Sequence, residues 1–269
     1  MAHLPDTRDL VARLRSAGCV FAEDEARLLL DATRDRTELA TLVERRVAGE
    51  PLEYVLGWAE FCGLRIAVHD GVFVPRRRTE LLAQHAIELI HAHAHAHAPA
   101  TPVAVDLCCG SGALGAALVA AEPRLELHAA DIDPVACACA RGNLPPQASV
   151  HQGDLFNALP AKLRGHIDVL VTNVPYVPSG AIATMPPEAR DHEPIHALDG
   201  GADGLDVLRR VGTAAPTWLA PGGHLLIETS ERQLPQAIDA FTVSGLTTQI
   251  AHDDDLGATV VIATANGNT

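Results

Sequence analysis

From residue 102 onward the chain alternates short runs rich in β-branched residues with helical patterns, and this alternation constrains the fold more than any other feature. "PVAVDL", "LELHAAD", "ASVHQGD", "HIDVLVTN", "GGHLLIET", "TTQIAH" and "ATVVIATA" read as seven strands, and "ALGAALVAA", "PVACACARGN" and "DGLDVLRRVGTAAPTWL" as helices among them. Such alternation predicts an α/β fold with a mostly parallel sheet covered on both faces, and the last two strands are close enough to pair as an antiparallel hairpin. Ligands in such a sheet bind at the carboxyl ends of the early strands.

The first third of the chain is built differently. Leu10, Val11 and Leu14, then Ala26, Leu29 and Leu30, then Leu39, Leu42, Val43 and Val47 fall at helical spacing, so two or three short helices form a small module over residues 1–50. "GEPLEYVLGWAEFCGLRIAVHDGVFVPRRRTELL" carries aromatic and β-branched residues around Gly63 and Asp70-Gly71, which predicts a hairpin linker over 51–75 leading into a domain over 76–269. A helix over Leu81–Ile90 is expected to fade into a solvated linker at "HAHAHAHAPATP", because His91, His93, His95 and His97 scatter around a helix.

No apolar stretch approaches a bilayer span, and charges stand where a secretory signal would have its apolar centre, so a cytoplasmic protein without a membrane partner is expected. Cys19, Cys62, Cys108, Cys109, Cys137 and Cys139 match neither a zinc pattern nor a disulfide scaffold, and no metal site is expected. A net charge of −14 argues against stable nucleic-acid binding, which depends on Lys and Arg neutralising phosphates.

"VDLCCGSGALG" follows the first strand and opens a helix, and Gly110, Gly112 and Gly115 satisfy Gly-x-Gly-x-x-Gly. Glycines let backbone approach a ligand and the helix offers free N–H groups. Asp131, ending the next strand, can accept both hydroxyls of a ribose. Those features fit a dinucleotide or S-adenosylmethionine (SAM). Asp106 favours SAM, since a carboxylate there attracts the cationic side of SAM and repels a pyrophosphate. Asp154, at the end of the third strand, is placed to accept from an adenine amino group.

Asn173 ends the fourth strand in "VTNVPYVPSG" and so falls beside the glycine loop. Its side-chain oxygen and the Val174 carbonyl can each accept one N–H of a planar amide or aromatic amine, which is catalysis by placement without a strong base. Pro175 biases Val174 towards extended backbone, and Tyr176 can lay its ring against the acceptor plane. Asn173, Pro175 and Tyr176 are thus the expected catalytic residues, and these three with Val174 the expected acceptor site.

Together with "RRVAGEPLEYVLGWAEFCGLRI", "PRRRTELL", "DIDPVACACARGN", "GDLF", "EPIHALDGGADGLDVLRR" and "GGHLLIETSERQ", these motifs resemble the HemK/PrmC family of SAM-dependent protein-(glutamine-N(5)) methyltransferases over nearly the whole chain. The resemblance implies a Rossmann-like class I methyltransferase domain behind a helical substrate-docking module. It implies methylation of the Gly-Gly-Gln glutamine of peptide-chain release factors. It places Asp106, Gly110 and Gly112 at the methionine end of SAM, Asp131 at the ribose, Asp154 near the adenine, and Asn173, Val174, Pro175 and Tyr176 at the glutamine amide. Arg76, Thr79 and Glu80 match a family segment that borders the cofactor.

The chain departs from the family pattern at three places in its motifs. Cys108 stands where the loop usually has its first glycine, which is compatible only with negative φ at that residue. Asn-Val-Pro-Tyr replaces Asn-Pro-Pro-Tyr, and Pro-Arg-Arg-Arg-Thr-Glu makes that rim more basic. Competing readings are a methyltransferase acting on an adenine amino group or on another protein, an NAD-binding oxidoreductase, and a SAM-binding module without turnover. Residues 180–199, proline-rich and long, are expected to order when substrate binds, with Glu193 either supporting the site or solvated.

Overall fold

The computed structural model describes residues 7–96 and 101–266. Helices α1 (Thr7–Ser16), α2 (Ala22–Ala32) and α3 (Arg36–Val47) close on Leu10, Leu14, Leu29, Leu39 and Val43. Asp35 caps α3 by accepting from the Thr37 and Glu38 N–H groups at 2.8 Å, satisfying donors the helix leaves open. After the short α4 (Leu52–Leu56), strands β1 (Trp58–Phe61) and β2 (Leu64–Ala67) pair as the expected antiparallel hairpin. Its two-residue turn, Cys62-Gly63, has φ of 49° and 73°, the left-handed pair whose twist matches that of the strands. The Cys62 N–H bonds Glu80 Oε1 at 2.9 Å, so Glu80 anchors this turn and, contrary to expectation, lines no cleft.

Helix α5 (Glu80–Ala96) corrects one expectation, because it runs on through His91, His93 and His95 instead of ending near Ile90. Ile90 and Ala94 are both buried, so the apolar face continues, and the alanines between the histidines favour helix. His97 lies outside the described residues.

The second part contains β3 (Val103–Leu107), α6 (Ala113–Ala121), β4 (Glu126–Asp131), α7 (Pro134–Asn143), β5 (Ser149–Gln152), β6 (Ile167–Thr172), α8 (Pro187–His192), α9 (Asp206–Trp218), β7 (Leu219–Glu228), α10 (Leu234–Val243), β8 (Leu246–Asp253) and β9 (Ala258–Ala265). All seven predicted strands form one sheet in the order β5-β4-β3-β6-β7-β9-β8. Pairings up to β7 are parallel, and β9 runs antiparallel to both of its neighbours. Helix α10 was not foreseen, although Leu234, Ala237, Ile238 and Phe241 carry a helical spacing; Ala237 and Phe241 are buried. Alternate residues of β3 serve opposite cores, Ala104 on the side of α5 and α6 and Val105 and Leu107 on the side of α9 and α10.

Buried Arg46 on α3 joins the helical module to the chain that borders the cleft. Its Nε and Nη2 hold Glu25 on α2 at 2.7 and 3.1 Å, and its Nη1 holds Glu188 on α8 at 2.8 Å and the Glu50 carbonyl at 3.1 Å. Arg46→Ala should lower the unfolding free energy by roughly 3 kcal/mol, because it strands a buried carboxylate, while Arg46→Leu combined with Glu25→Leu should recover most of that loss. Urea denaturation of the three proteins checks this, and equal stability of wild type and Arg46→Ala would refute it.

Candidate active site

The chain order runs outward from β3 to β5 and then returns to place β6 on the other side of β3, creating a crevice at the carboxyl ends of the two strands. Leu107 pairs with Thr172, and Thr172 with Ile227, so the next residues, Cys108, Asn173 and Glu228, stand in a row across three parallel strands. The Thr172 hydroxyl donates to the Leu107 carbonyl at 2.7 Å and fixes that register at the site.

Cys108 overturns the negative-φ expectation, for its φ is 57°. The left-handed conformation costs a side-chain-bearing residue roughly 1–2 kcal/mol, and it persists because the residues that follow over-determine the loop. The Cys109 N–H bonds the Ala130 carbonyl at 3.0 Å, the Gly110 N–H bonds Asp131 Oδ2 at 2.9 Å, and the Gly112 N–H bonds the Cys109 carbonyl at 2.7 Å. Gly112, with φ of 78°, packs against α7, where an added Cβ would stand 3.1 Å from that of Ala140. Asn143 at the end of α7 completes the clamp. Its Oδ1 accepts from the Ala67 N–H at 2.8 Å, and its Nδ2 donates to the Ala67 and Ser111 carbonyls, each at 2.9 Å.

A cleft of about 240 Å³ opens above this loop. Of the predicted residues, Gly110, Asp131, Asp154, Asn173 and Pro175 line it, whereas Asp106, Gly112, Val174 and Tyr176 do not. Phe73, Ile132 and Leu155 add an apolar wall, and Arg76, Thr79 and His196 lie on its border. Asp131 keeps both oxygens oriented, Oδ2 by the Gly110 N–H and Oδ1 by the Asp133 N–H, each at 2.9 Å, and each retains a lone pair for a hydroxyl. Burial raises its carboxyl above the usual range. Asp154 sits at the open rim in an ion pair with Arg210 at 2.5 Å.

Asp106 lies beneath the loop, 1% exposed, with Oδ2 accepting from the Gly115 N–H at 2.9 Å and Oδ1 without a partner. An orphaned carboxylate oxygen below the loop, a ribose-sized pair of acceptors on Asp131 and an apolar slot beside Ile132 together fit SAM. Among the described residues no group of three or more His, Cys, Asp or Glu could hold a metal ion, and no helix is long and apolar enough to cross a membrane.

At the other end of the cleft, Asn173 Nδ2 donates to Thr79 Oγ1 at 3.2 Å, and Thr79 donates to Glu228 at 2.6 Å. Arg78 Nε donates to the same carboxylate at 2.9 Å, the Tyr176 hydroxyl approaches it at 3.3 Å, and Arg78 Nη2 also donates to Tyr176. Burial pushes Tyr176 up to about 12, so it remains a phenol at neutral pH. Glu193 proves to be buried: it pairs with Arg76 and accepts from the Val74 N–H at 3.3 Å, and burial raises its carboxyl. Its segment, residues 179–199, contains α8 and two 3-10 turns, and His196 reaches Asp133 at 3.1 Å across the cleft border.

Glu228, Arg78, Asn143 and Ile132 were not singled out from the sequence. Glu228 had a readable signal, an acid at the carboxyl end of a buried strand, the position Asp131 also holds. The contacts of Asn143 and Arg78 depend on tertiary approach and leave no local pattern.

The methyltransferase small domain family matches residues 64–185. The release factor glutamine methyltransferase of Streptomyces coelicolor is 38% identical over 225 residues, covering 83% of this chain and 78% of that one. The 4-amino-L-phenylalanine/4-methylamino-L-phenylalanine methyltransferase of Streptomyces pristinaespiralis is 37% identical over 204 residues, covering 76% of this chain and 69% of the relative. Among solved structures, a methyltransferase from Pyrococcus furiosus superposes with a TM-score of 0.53 at 14% identity, covering 77% of this chain and 91% of its own, a likeness of fold.

Burial holds the Asp106 carboxyl up to about 8 in the folded chain against 3.8 as the ordinary value. The native state therefore binds an extra proton between those pH values, and its stabilising effect is full below pH 3.8 and lost as pH rises through about 8. Thermal unfolding of wild type and Asp106→Asn across that range should show wild-type stability falling relative to the variant; parallel curves would contradict the assignment.

Proposed function

Because the chain belongs to the release factor glutamine methyltransferase family, we propose that it transfers a methyl group from SAM to the side-chain amide nitrogen of the Gly-Gly-Gln glutamine in peptide-chain release factors. The observation that carries this reading is the strand register that sets Asn173 beside the glycine loop, with Pro175 on the same cleft wall.

When bound, SAM supplies a methyl group on a cationic sulfur, so the acceptor nitrogen needs orientation more than a base. Asp131 would hold the ribose hydroxyls and Gly110 would bring backbone close to the methionine end, while Asp106, raised to about 8 by burial, lies below the loop where a cationic cofactor would favour its ionised form. Gly112 contributes through the shape it gives that loop, and Asp154 stands at the adenine rim. Asn173 Oδ1 and the Val174 carbonyl each accept one N–H of the glutamine amide, which presents the face of its nitrogen to the cleft. Pro175 lines the slot for the amide plane, and Tyr176, outside that lining, supports it through its bonds to Glu228 and Arg78.

Residues 1–50 serve in this reading as the docking module for the protein substrate, 51–75 as the linker and 76–269 as the catalytic domain. The Arg46–Glu188 contact supports such a division of labour, since it ties the module to the segment that carries Glu193 and His196. The reading also places the protein in the cytoplasm, where release factors act. A second acceptor class, an aromatic amine, is favoured by the likeness to the Streptomyces pristinaespiralis enzyme, and it offers the same planar NH₂ to Asn173.

Incubation with methyl-labelled SAM and either release factors or 4-amino-L-phenylalanine should label the wild-type factor and leave a factor with Gly-Gly-Ala unlabelled; label on 4-amino-L-phenylalanine alone would move the assignment to the second class. Asn173→Ala should lower transfer by roughly a hundredfold with SAM binding retained. Loss of SAM binding in equal measure would mean that Asn173 is structural.

A further inference from the structure

We propose that Glu228 is a positioning residue that acts through Thr79 to fix which end of the Asn173 carboxamide faces the acceptor. The inference rests on the amide-methylation reading for its consequence, and on the hydrogen-bond network for its direction.

Glu228 ends β7 and is 2% exposed. Its Oε1 accepts from Arg78 Nε at 2.9 Å and from the Tyr176 hydroxyl at 3.3 Å, and its Oε2 accepts from the Thr79 hydroxyl at 2.6 Å. A carboxylate only accepts, so the single proton of Thr79 is committed to Oε2. The Thr79 oxygen is then left with lone pairs alone, and the partner it meets at 3.2 Å must be the NH₂ end of Asn173. Asn173 Oδ1 is consequently the end free for the cleft, an acceptor where the substrate amide brings N–H groups. Shape alone cannot make this choice, because the two ends of a carboxamide are nearly equal in size. The polarity originates in the buried charge of Glu228 and passes through one hydroxyl.

Glu228→Gln should reverse the relay. Arg78 only donates, so the new carbonyl must stay at the Oε1 position and the new NH₂ must take the Oε2 position, facing Thr79. Thr79 then accepts from it and turns its own proton to Asn173, which rotates to meet that proton and presents NH₂ to the substrate. Thr79→Val removes the relay without reversing it.

The experiment measures kcat and KM for methyl transfer to a release factor, together with SAM binding and thermal unfolding. Glu228→Gln should lose roughly a hundredfold in kcat, the scale of a misplaced polar group at a reacting centre, with SAM binding retained. Thr79→Val should lose roughly tenfold, about one hydrogen bond, and Thr79→Ser should recover most of it. The deciding protein is the Glu228→Gln, Thr79→Val double variant. Reversal needs the hydroxyl, so adding Thr79→Val should raise the activity of Glu228→Gln to that of Thr79→Val alone.

Losses that multiply in the double variant, or a Thr79→Ser protein as poor as Thr79→Val, would overturn the proposal and leave Glu228 as a structural partner of Arg78. An inactive wild type would overturn the substrate reading instead. Exchange of the ¹⁵N-labelled Asn173 side-chain NH₂ with water tests the relay in that case, since both Glu228→Gln and Thr79→Val should speed it; unchanged exchange in both would sink the relay.

Discussion

The parallel pairing of β3, β6 and β7 is the constraint on which the site depends. Neighbouring strands lie about 4.8 Å apart, and a common register makes their next residues neighbours as well. The glycine loop, Asn173 and Glu228 thus leave the sheet side by side. None of these residues must find the others by loop flexibility. The register is held by buried apolar side chains on both faces, and the Thr172 hydroxyl locks it at the last step before the chain leaves the sheet.

Around that row the protein stabilises charge by enclosure. Glu193, Glu228 and Arg46 are buried, yet each is matched by named donors or acceptors. Asp106 is the exception, with one oxygen satisfied and the other unpartnered. Burial raises that carboxyl to about 8, so in the empty fold a proton offsets the missing partner, and a cation bound above the loop would favour its release. The same logic separates Asp106 from Asp154, which stands half-exposed at the rim in an ion pair with Arg210.

Much of this was legible in the sequence because it is written locally. The seven strands follow from runs of β-branched residues, the hairpin from aromatic and β-branched residues around Gly63, and the placement of Asn173 from its position one residue past a strand. What stayed hidden depends on partners far along the chain. Glu228 meets Thr79 across a separation of 149 residues and Tyr176 across 52, and nothing near Glu228 announces either contact. The histidine tract misled for the opposite reason, since its repeat suggested a linker while buried Ile90 and Ala94 carried the helix onward. At Cys108 a rule about glycine was sound in cost but gave the wrong sign of φ, because bonds to Ala130 and Asp131 by the residues after it outweigh the local preference.

The carboxamide of Asn143 spans the end of the β1–β2 hairpin and the glycine loop at once, bonding both backbone groups of Ala67 and the carbonyl of Ser111. A strand and a ligand loop that share one side chain cannot loosen independently: opening either one leaves polar groups of the other unpaired. The cleft floor and the hairpin consequently form one cooperative unit. Any motion of α1–α3 relative to the cleft must bend outside that unit, on the N-terminal side of β1, or break the floor of the cleft as it moves.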